Sequence, residues 1–144
     1  MGTRSTIALE FADGTVQQVY CHWDGYLDHN GKILQEHYSD PFKLRDLIDL
    51  GDMSSLGERI GTQHAFDKAP EGECTFYMRD RKETGCEARK YANVGDYFVN
   101  AQQEEYDYIL RQVEGKAVWF VRCYTTNGVW LTMAEAKATQ EECV

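Results

Sequence analysis

The chain has 144 residues, of which 42% are hydrophobic and 27% are charged, and it carries 9 Tyr, 6 Phe and 3 Trp. This composition excludes an intrinsically disordered chain and predicts a single domain over residues 1–144 with one hydrophobic core. The formal net charge of −9 excludes direct binding of nucleic acid through phosphate contacts, because such binding needs a basic face.

The cysteines and the hydropathy of the chain indicate where the protein is located. Five cysteines are present and no two form a Cys-x-x-Cys pair, so neither a zinc site nor a redox motif is predicted. Residues 1–20 contain charged side chains and lack the apolar core of a signal peptide, and no apolar stretch reaches the roughly 20 residues that span a bilayer. We expect reduced thiols and a cytoplasmic location in a host cell, without membrane contact.

The first predicted element in chain order is a β-hairpin. Two β-rich runs, 5–11 and 15–22, flank Ala-Asp-Gly at 12–14. Asp-Gly between such runs is a strong hairpin signal. The second strand leads directly into the segment 20–31, so the hairpin would hold that segment on a rigid base.

Helices are predicted to follow the hairpin. The apolar spacing over 33–38 favours a short first helix, and the second helix begins at Asp40, which is followed by proline, and ends at Gly51. Residues 52–60 are expected to form a third short helical turn. The segment 61–72, which contains His64 and Pro70, is typical of an exposed connection.

The C-terminal half is predicted to be mainly β-structure. Residues 75–79 alternate like a strand, and the charged segment 80–92 fits either a long hairpin or a short helix. Runs at 106–113, 117–124 and 129–133 form a meander whose turns are Glu-Gly and Asn-Gly. Tyr106 and Tyr108 would share one face of the sheet, with the core on the other face.

The order of these elements predicts the fold class. A hairpin, then helices, then a meander, with a terminal helix from about Ala134, is typical of an α+β fold. We expect an antiparallel sheet, built from the N-terminal hairpin and the C-terminal meander, with the helices packed on one face.

The candidate binding site is the segment 20–31, Tyr-Cys-His-Trp-Asp-Gly-Tyr-Leu-Asp-His-Asn-Gly. A loop that only connects elements is rich in small polar residues, whereas this segment mixes large aromatic side chains with titratable groups, as binding surfaces do. We expect Trp23 and Tyr26 to be partly exposed. The candidate binding residues in this segment are His22, Trp23, Asp24, Tyr26 and His29.

Two kinds of chemistry compete with simple binding at this segment. His22, Asp24 and His29 can ligate zinc, iron or manganese, with His37 as a further ligand, but no other ligand follows at a telling spacing. No metal and no cofactor are therefore predicted. His22 and Asp24 can also act as a general base with its orienting carboxylate, because residues two apart on a strand share a face. The favoured interpretation is a local hydrogen bond for His22 and a solvated His29.

Charged residues outside the segment supply further candidates. Arg4 lies among three hydroxyl residues and is a candidate clamp for phosphate or carboxylate, although a surface arginine paired with an acid is the favoured interpretation. Asp46, Asp49 and Asp52 are spaced by three and favour a solvated helix face. The alternative for Asp46 and Asp49 is an anionic surface that fills the basic groove of a DNA- or RNA-handling protein.

Sequence motifs in the first part of the chain resemble a known family. The opening Met-Gly-Thr-Arg-Ser-Thr-Ile, the run Tyr-Cys-His-Trp-Asp-Gly-Tyr from Tyr20, His37-Tyr38, and Leu-Ile-Asp-Leu-Gly-Asp from Leu47 resemble a family of small uncharacterised proteins encoded by bacteriophages, prophages and mobile elements. The resemblance covers about the first 60 residues. It implies an accessory protein that blocks a host defence or nucleic-acid machine, and it assigns no catalytic residue.

The layout of the N-terminal hairpin, with an Asp shortly after the second strand, is similar to that of the choloylglycine-hydrolase branch of N-terminal nucleophile amidases. That resemblance implies a cysteine nucleophile directly after the initiator Met. Here position 2 is Gly2, so the nucleophile is missing, and the Arg that the family keeps near its Asp has no match beside Asp24. Thr3 would have to become the N-terminus to replace the nucleophile.

Two function classes follow from the sequence. The first is a small, acidic, anti-CRISPR-like inhibitor that binds and blocks a host protein with a basic surface, and that is not an enzyme. The second is a small hydrolase or a nucleotide-binding protein that uses His22 and Asp24. The common nucleotide, serine-hydrolase and metalloprotease signatures are absent from the chain, which favours the inhibitor.

Overall fold

The computed structural model describes residues 2–142, which contain eight β-strands and five α-helices. The strands are β1 (Ser5–Glu10), β2 (Val16–Cys21), β3 (Met53–Ser55), β4 (Thr75–Phe76), β5 (Arg89–Tyr91), β6 (Tyr106–Val113), β7 (Lys116–Cys123) and β8 (Leu131–Thr132). The helices are α1 (Lys32–His37), α2 (Pro41–Asp49), α3 (Tyr77–Arg81), α4 (Val94–Asn100) and α5 (Met133–Glu142), with a π-helical turn (Leu27–Gly31) before α1. No helix within residues 2–142 is long and apolar enough to cross a bilayer.

The strands join one sheet in the order β4-β3-β2-β1-β6-β7-β8, and β5 pairs with β2 in line with β3. The β1–β2 and β6–β7 pairs are antiparallel, but β1 and β6 run parallel, with Ser5 opposite Tyr106 and Leu9 opposite Leu110. The fold is α+β as predicted, and the prediction of an antiparallel sheet is confirmed only in part, because the sheet is mixed and mostly antiparallel. Parallel pairing needs a long crossover, and the whole segment between β2 and β6 supplies it.

Side chains alternate between the two faces of the sheet, and each face carries its own apolar cluster. The larger cluster joins inward residues of β1, β2, β6 and β7 to α1, α2 and α5. The second cluster joins Ala8, Val16 and Ile109 to Tyr97 of α4. The expectation that all helices pack on one face is therefore wrong, because α4 covers the opposite face.

The α2 helix begins and ends as its sequence predicts. A side-chain oxygen of Asp40 accepts the backbone N–H of Phe42 at 3.0 Å, and Pro41 is the first helical residue. Gly51 follows the helix with a φ of +83°, a conformation that favours glycine. The buried face of α2 consists of Leu44, Leu47 and Ile48.

The C-terminal meander also forms. Tyr106 and Tyr108 share one face of the sheet, as predicted, and their rings stack with centroids 6.4 Å apart. The expectation that the core lies on the other face is wrong, because both side chains are buried in the larger cluster. Glu114 and Gly115 both have positive φ at the β6–β7 turn, which is the conformation of a type I′ turn.

Two local predictions fail in the segment between β2 and β6. Residues 52–60 contain β3 instead of a helical turn, because Met53 pairs with both Cys21 and Phe76. The predicted strand over 75–79 stops after two residues, and α3 begins. The undecided segment 80–92 holds the end of α3 and all of β5.

The connection between β3 and β4 is irregular and largely exposed, as predicted, but the ring of His64 contacts Cys74, the last residue before β4. Nε2 of His64 lies 3.0 Å from the carbonyl oxygen of Cys74, and Nδ1 lies 2.8 Å from that of Ala65. Carbonyl oxygens only accept, so both contacts are hydrogen bonds when the imidazole carries a proton on each ring nitrogen. These two hydrogen bonds raise the pKa of His64, and the Asp80 carboxylate at 3.6 Å adds to the effect.

We expect the contribution of His64 to stability to depend on pH. In the unfolded chain the imidazole has its ordinary pKa of about 6.5, and in the folded chain its pKa is higher. The stabilisation is therefore complete below the ordinary pKa and is lost as pH rises through the folded-state value. Thermal unfolding of wild type and His64→Gln between pH 5.5 and pH 8.5 tests this expectation. The difference in Tm between the two proteins should shrink as pH rises, and a constant difference would contradict it.

Candidate functional site

The segment 22–31 continues from the end of β2, and its first residues are held by β3. The backbone N–H of His22 donates to the carbonyl oxygen of Met53 at 3.1 Å, and that of Trp23 donates to the carbonyl oxygen of Ser54 at 3.0 Å. These bonds extend the β2–β3 pairing beyond the last residue of β2 and set the direction in which the loop leaves the sheet.

Gly25 holds the middle of the loop against the start of β1. Its N–H donates to the carbonyl oxygen of Thr3 at 2.8 Å, and its own carbonyl oxygen accepts the hydroxyl of Tyr108 at 2.6 Å. A Cβ at this position would lie 2.7 Å from Cβ of Ser5 and 2.9 Å from the carbonyl oxygen of Thr3. Burial raises the pKa of Tyr108 well above its ordinary value, so its hydroxyl stays protonated and keeps donating.

Asn30 closes the loop from inside. Its side chain is fully buried, and its amide nitrogen donates to the carbonyl oxygen of Trp23 at 3.1 Å, to Oγ of Ser5 at 3.3 Å and to Sγ of Cys21 at 3.4 Å. Its amide oxygen lies 2.9 Å from Nδ1 of His29. The sequence analysis missed this role, because Asn followed by Gly is typical of an exposed turn and no local signal indicates burial.

Replacing Asn30 by alanine is expected to lower the free energy of unfolding by about 2 kcal/mol, because the carbonyl oxygen of Trp23 would lose a buried donor. Asn100→Ala is the matched control, since Asn100 is exposed at the end of α4 and surface changes usually stay within about 0.5 kcal/mol. Urea unfolding of both variants measures the difference. Equal effects of the two substitutions would show that Asn30 does not brace the loop.

Two large side chains project from this braced loop. Trp23 is 42% exposed and Tyr26 is 40% exposed, as the sequence predicts. The ring of His22 meets the Trp23 ring edge-on with centroids 4.8 Å apart, and the His29 ring lies 5.9 Å from that of Tyr26. Each exposed aromatic side chain is therefore supported by a half-buried imidazole.

The predicted partnership of His22 with Asp24 is not formed. Nδ1 of His22 shares a hydrogen bond with the hydroxyl of Tyr20 at 2.8 Å, and Asp24 takes a left-handed backbone conformation with a φ of +57°. His37 lies apart on α1, 3.9 Å from the carboxylate of Glu58. Among the side chains that the structure describes, no group of three or more His, Cys, Asp or Glu is arranged to hold a metal ion.

Cys21 lies directly beneath the loop as a protonated thiol. Burial raises its pKa to about 12, and its Sγ lies 3.7 Å from the carbonyl oxygen of Trp23, to which it donates. A nucleophilic cysteine instead needs a depressed pKa and access to solvent. The other cysteines within residues 2–142, Cys74, Cys86 and Cys123, are also free.

Arg4 is exposed just before β1, but the neighbouring hydroxyls do not gather around its guanidinium. Oγ1 of Thr6 donates to Asp107 at 2.7 Å, and the buried Ser5 accepts from Asn30. The backbone N–H of Arg4 donates to a carboxylate oxygen of Glu105 at 3.2 Å. Two hydroxyls of the proposed phosphate or carboxylate clamp are thus committed to internal bonds.

The acidic candidates of α2 stand apart from the loop. Asp46 and Asp49 are exposed on the side of the helix opposite Leu47 and Ile48. Among the described residues, no hydrogen bond or ion pair connects them to the segment 22–31. Any effect of these carboxylates on the loop acts through the electric field and not through contact.

The sequence analysis also missed Tyr124, which is 75% exposed. Its ring meets that of Tyr106 edge-on at 6.2 Å, and the Tyr106 ring stacks on that of Tyr108, whose hydroxyl reaches Gly25. Tyr124 lies at this end of the sheet only because β6 pairs with both β1 and β7. The sequence around Tyr124 does not indicate that pairing.

Trp23, Tyr26 and Tyr124 together define an aromatic surface at one end of the sheet. Its loop is fixed by internal hydrogen bonds, whereas its large side chains remain available for contact. No family model, curated protein or solved structure matches the chain.

Proposed function

We propose that the protein is a phage-type accessory protein that binds a basic surface of a host defence or nucleic-acid-handling protein and blocks it by occupancy. The observation that carries this proposal is the rigid display of Trp23 and Tyr26, which are 42% and 40% exposed on a loop braced from inside. Trp and Tyr are enriched among the residues that dominate binding energy at protein interfaces.

The rigidity of the loop supports a binding role on energetic grounds. Association costs free energy when loops and side chains become ordered in the complex. Asn30 and Gly25 already fix the backbone on either side of Tyr26. The loop therefore has little conformational freedom to lose, and more of the contact energy appears as affinity.

The charge of the chain supports a basic partner. The net charge is −9, and Asp28 and Glu105 are exposed near the aromatic surface. A negative field attracts a basic protein surface and repels nucleic acid. It therefore raises the rate of association with a basic protein and disfavours the binding of nucleic acid. The aromatic side chains then supply the short-range contacts that screened charges cannot.

Affinity capture from a host lysate tests the proposal. The wild-type protein should retain one stoichiometric partner, the variant Trp23→Ala/Tyr26→Ala should lose it, and Val99→Ala, which alters a 78% exposed side chain on α4, should retain it. The purified partner should also lose its own activity when the wild-type protein is added. Equal capture by the double variant, or substrate turnover that depends on His22, would overturn the proposal.

A further inference from the structure

An apolar groove lies at the end of the sheet opposite the aromatic surface, between the β1–β2 turn and the first turn of α2. Its volume is about 320 Å³, which is within the range of ligand pockets and large enough for one aromatic side chain. Leu9, Phe11, Ala12 and Pro41 form its apolar wall.

Phe42 stands on the rim of this groove and is 70% exposed. Its backbone is fixed, because its N–H is bonded to the side chain of Asp40 at the start of α2. The guanidinium carbon of Arg45 lies 5.8 Å from the centroid of the Phe42 ring. The face therefore carries a fixed apolar projection directly beside an apolar depression.

We propose that this groove binds Phe42 of a second copy of the chain. A projection and a depression on the same face complement each other across a two-fold axis, since each copy offers both to the other. Two Phe42 side chains would be buried reciprocally, one in each groove. The face lies opposite the aromatic surface, so self-association leaves the surface that engages a host partner uncovered.

The charges on the rim fit the same arrangement. Glu10 and Arg45 both line the groove, and a two-fold axis places Arg45 of one copy against Glu10 of the other. Arg45 makes no ion pair within residues 2–142, and Glu10 uses only Oε1 to accept from Arg111. The residues that line the groove thus include one acid and one base, which have opposite charges although the chain has a net charge of −9.

The size of the contact predicts a weak dimer. One aromatic side chain and one groove from each copy form a contact below the usual range of stable interfaces. We expect a dissociation constant on the order of tens of micromolar.

Sedimentation equilibrium of the full chain, from about 5 μM to about 500 μM, tests the proposal. Wild type should dimerise with concentration, and Phe42→Ala should weaken the dimer about 100-fold or more, because two buried rings are lost. Ala12→Trp fills the groove from the other side and should have a similar effect. Val99→Ala, at a 78% exposed position on α4, is the control and should dimerise like wild type.

Three outcomes would overturn the proposal. Wild type could remain a monomer over the whole concentration range, which would leave the groove without a second copy. The dissociation constant of the dimer could be unchanged by Phe42→Ala. Alternatively, the dimer could be weakened by Phe42→Ala but not by Ala12→Trp, which would show that Phe42 contacts something other than the groove.

Discussion

Replacing Gly25 by alanine is expected to lower the free energy of unfolding by about 3 kcal/mol, the upper end of the usual cost of overpacking. A Cβ at this position would meet Cβ of Ser5 at 2.7 Å and the carbonyl oxygen of Thr3 at 2.9 Å. Neither atom is the end of a flexible side chain, so the loop itself must move away from β1. That movement would also break the bond from the Tyr108 hydroxyl to the loop.

Gly95→Ala provides the matched control for this substitution. Gly95 lies in α4, and an added Cβ would meet only the side-chain oxygen of Asn93, at 3.2 Å. Alanine is the better helix former by up to about 1 kcal/mol, so this variant should be as stable as wild type or slightly more stable. Urea unfolding compares the two. A Gly25→Ala protein within about 0.5 kcal/mol of wild type would show that the loop tolerates separation from β1.

Replacing Trp23 by alanine is expected to speed dissociation from the proposed host partner about 100-fold, a typical loss for a central aromatic contact. The association rate should change little, because encounter is governed by long-range charge and not by one apolar side chain. Surface-based kinetics with the purified partner measure both rates. Trp23→Phe keeps an aromatic ring and should recover a large part of the loss, whereas unchanged dissociation of Trp23→Ala would remove the loop from the interface.

The double substitution Asp46→Lys/Asp49→Lys should change the association rate. It changes the formal net charge from −9 to −5, because each of the two reversals adds two positive charges. We expect association to slow about 10-fold at low salt and to lose part of its dependence on ionic strength, with little change in dissociation. The association rate of the neutral variant Asp46→Asn/Asp49→Asn should lie between those of wild type and the lysine variant. An association rate that is indifferent to salt in wild type would contradict electrostatic attraction.

The elements that the sequence predicts well are those whose signals are local. The β1–β2 hairpin follows from the Asp-Gly turn, in which the carboxylate of Asp13 accepts from Thr15. The α2 helix follows from Asp40 and the proline after it. Each signal acts within a few residues, so its effect is the same whatever the remainder of the chain does.

The parts that could not be predicted depend on contacts between distant residues. Asp52 belongs by spacing to a row of helix acids, yet its carboxylate accepts the N–H of Tyr20 at 2.9 Å and forms a bidentate pair with Arg89. Its carboxylate thereby lies beside β2 in the gap between the start of β3 and the start of β5. Only the tertiary fold brings these three residues together.

The same distinction applies to the candidate site. The composition of the segment 20–31 predicts which side chains are exposed, because large aromatic and charged groups in one loop are a local pattern. The internal braces are not predictable in this way, since the partners of Asn30 and Gly25 lie on β1, β2 and β6. A sequence can thus indicate a surface without indicating what holds it in place.

The position of β1 has a consequence for the synthesis of the chain on the ribosome. β1 is a central strand whose residues Ile7, Ala8 and Leu9 are at most 3% exposed, and its two neighbours, β2 and β6, begin at Val16 and Tyr106. A nascent chain that has not reached β6 therefore carries an apolar strand with one open edge, and such an edge pairs readily with other chains. Fragments that end before β6 are expected to aggregate, and the yield of folded protein should increase when a chaperone covers that edge until β6 has been made.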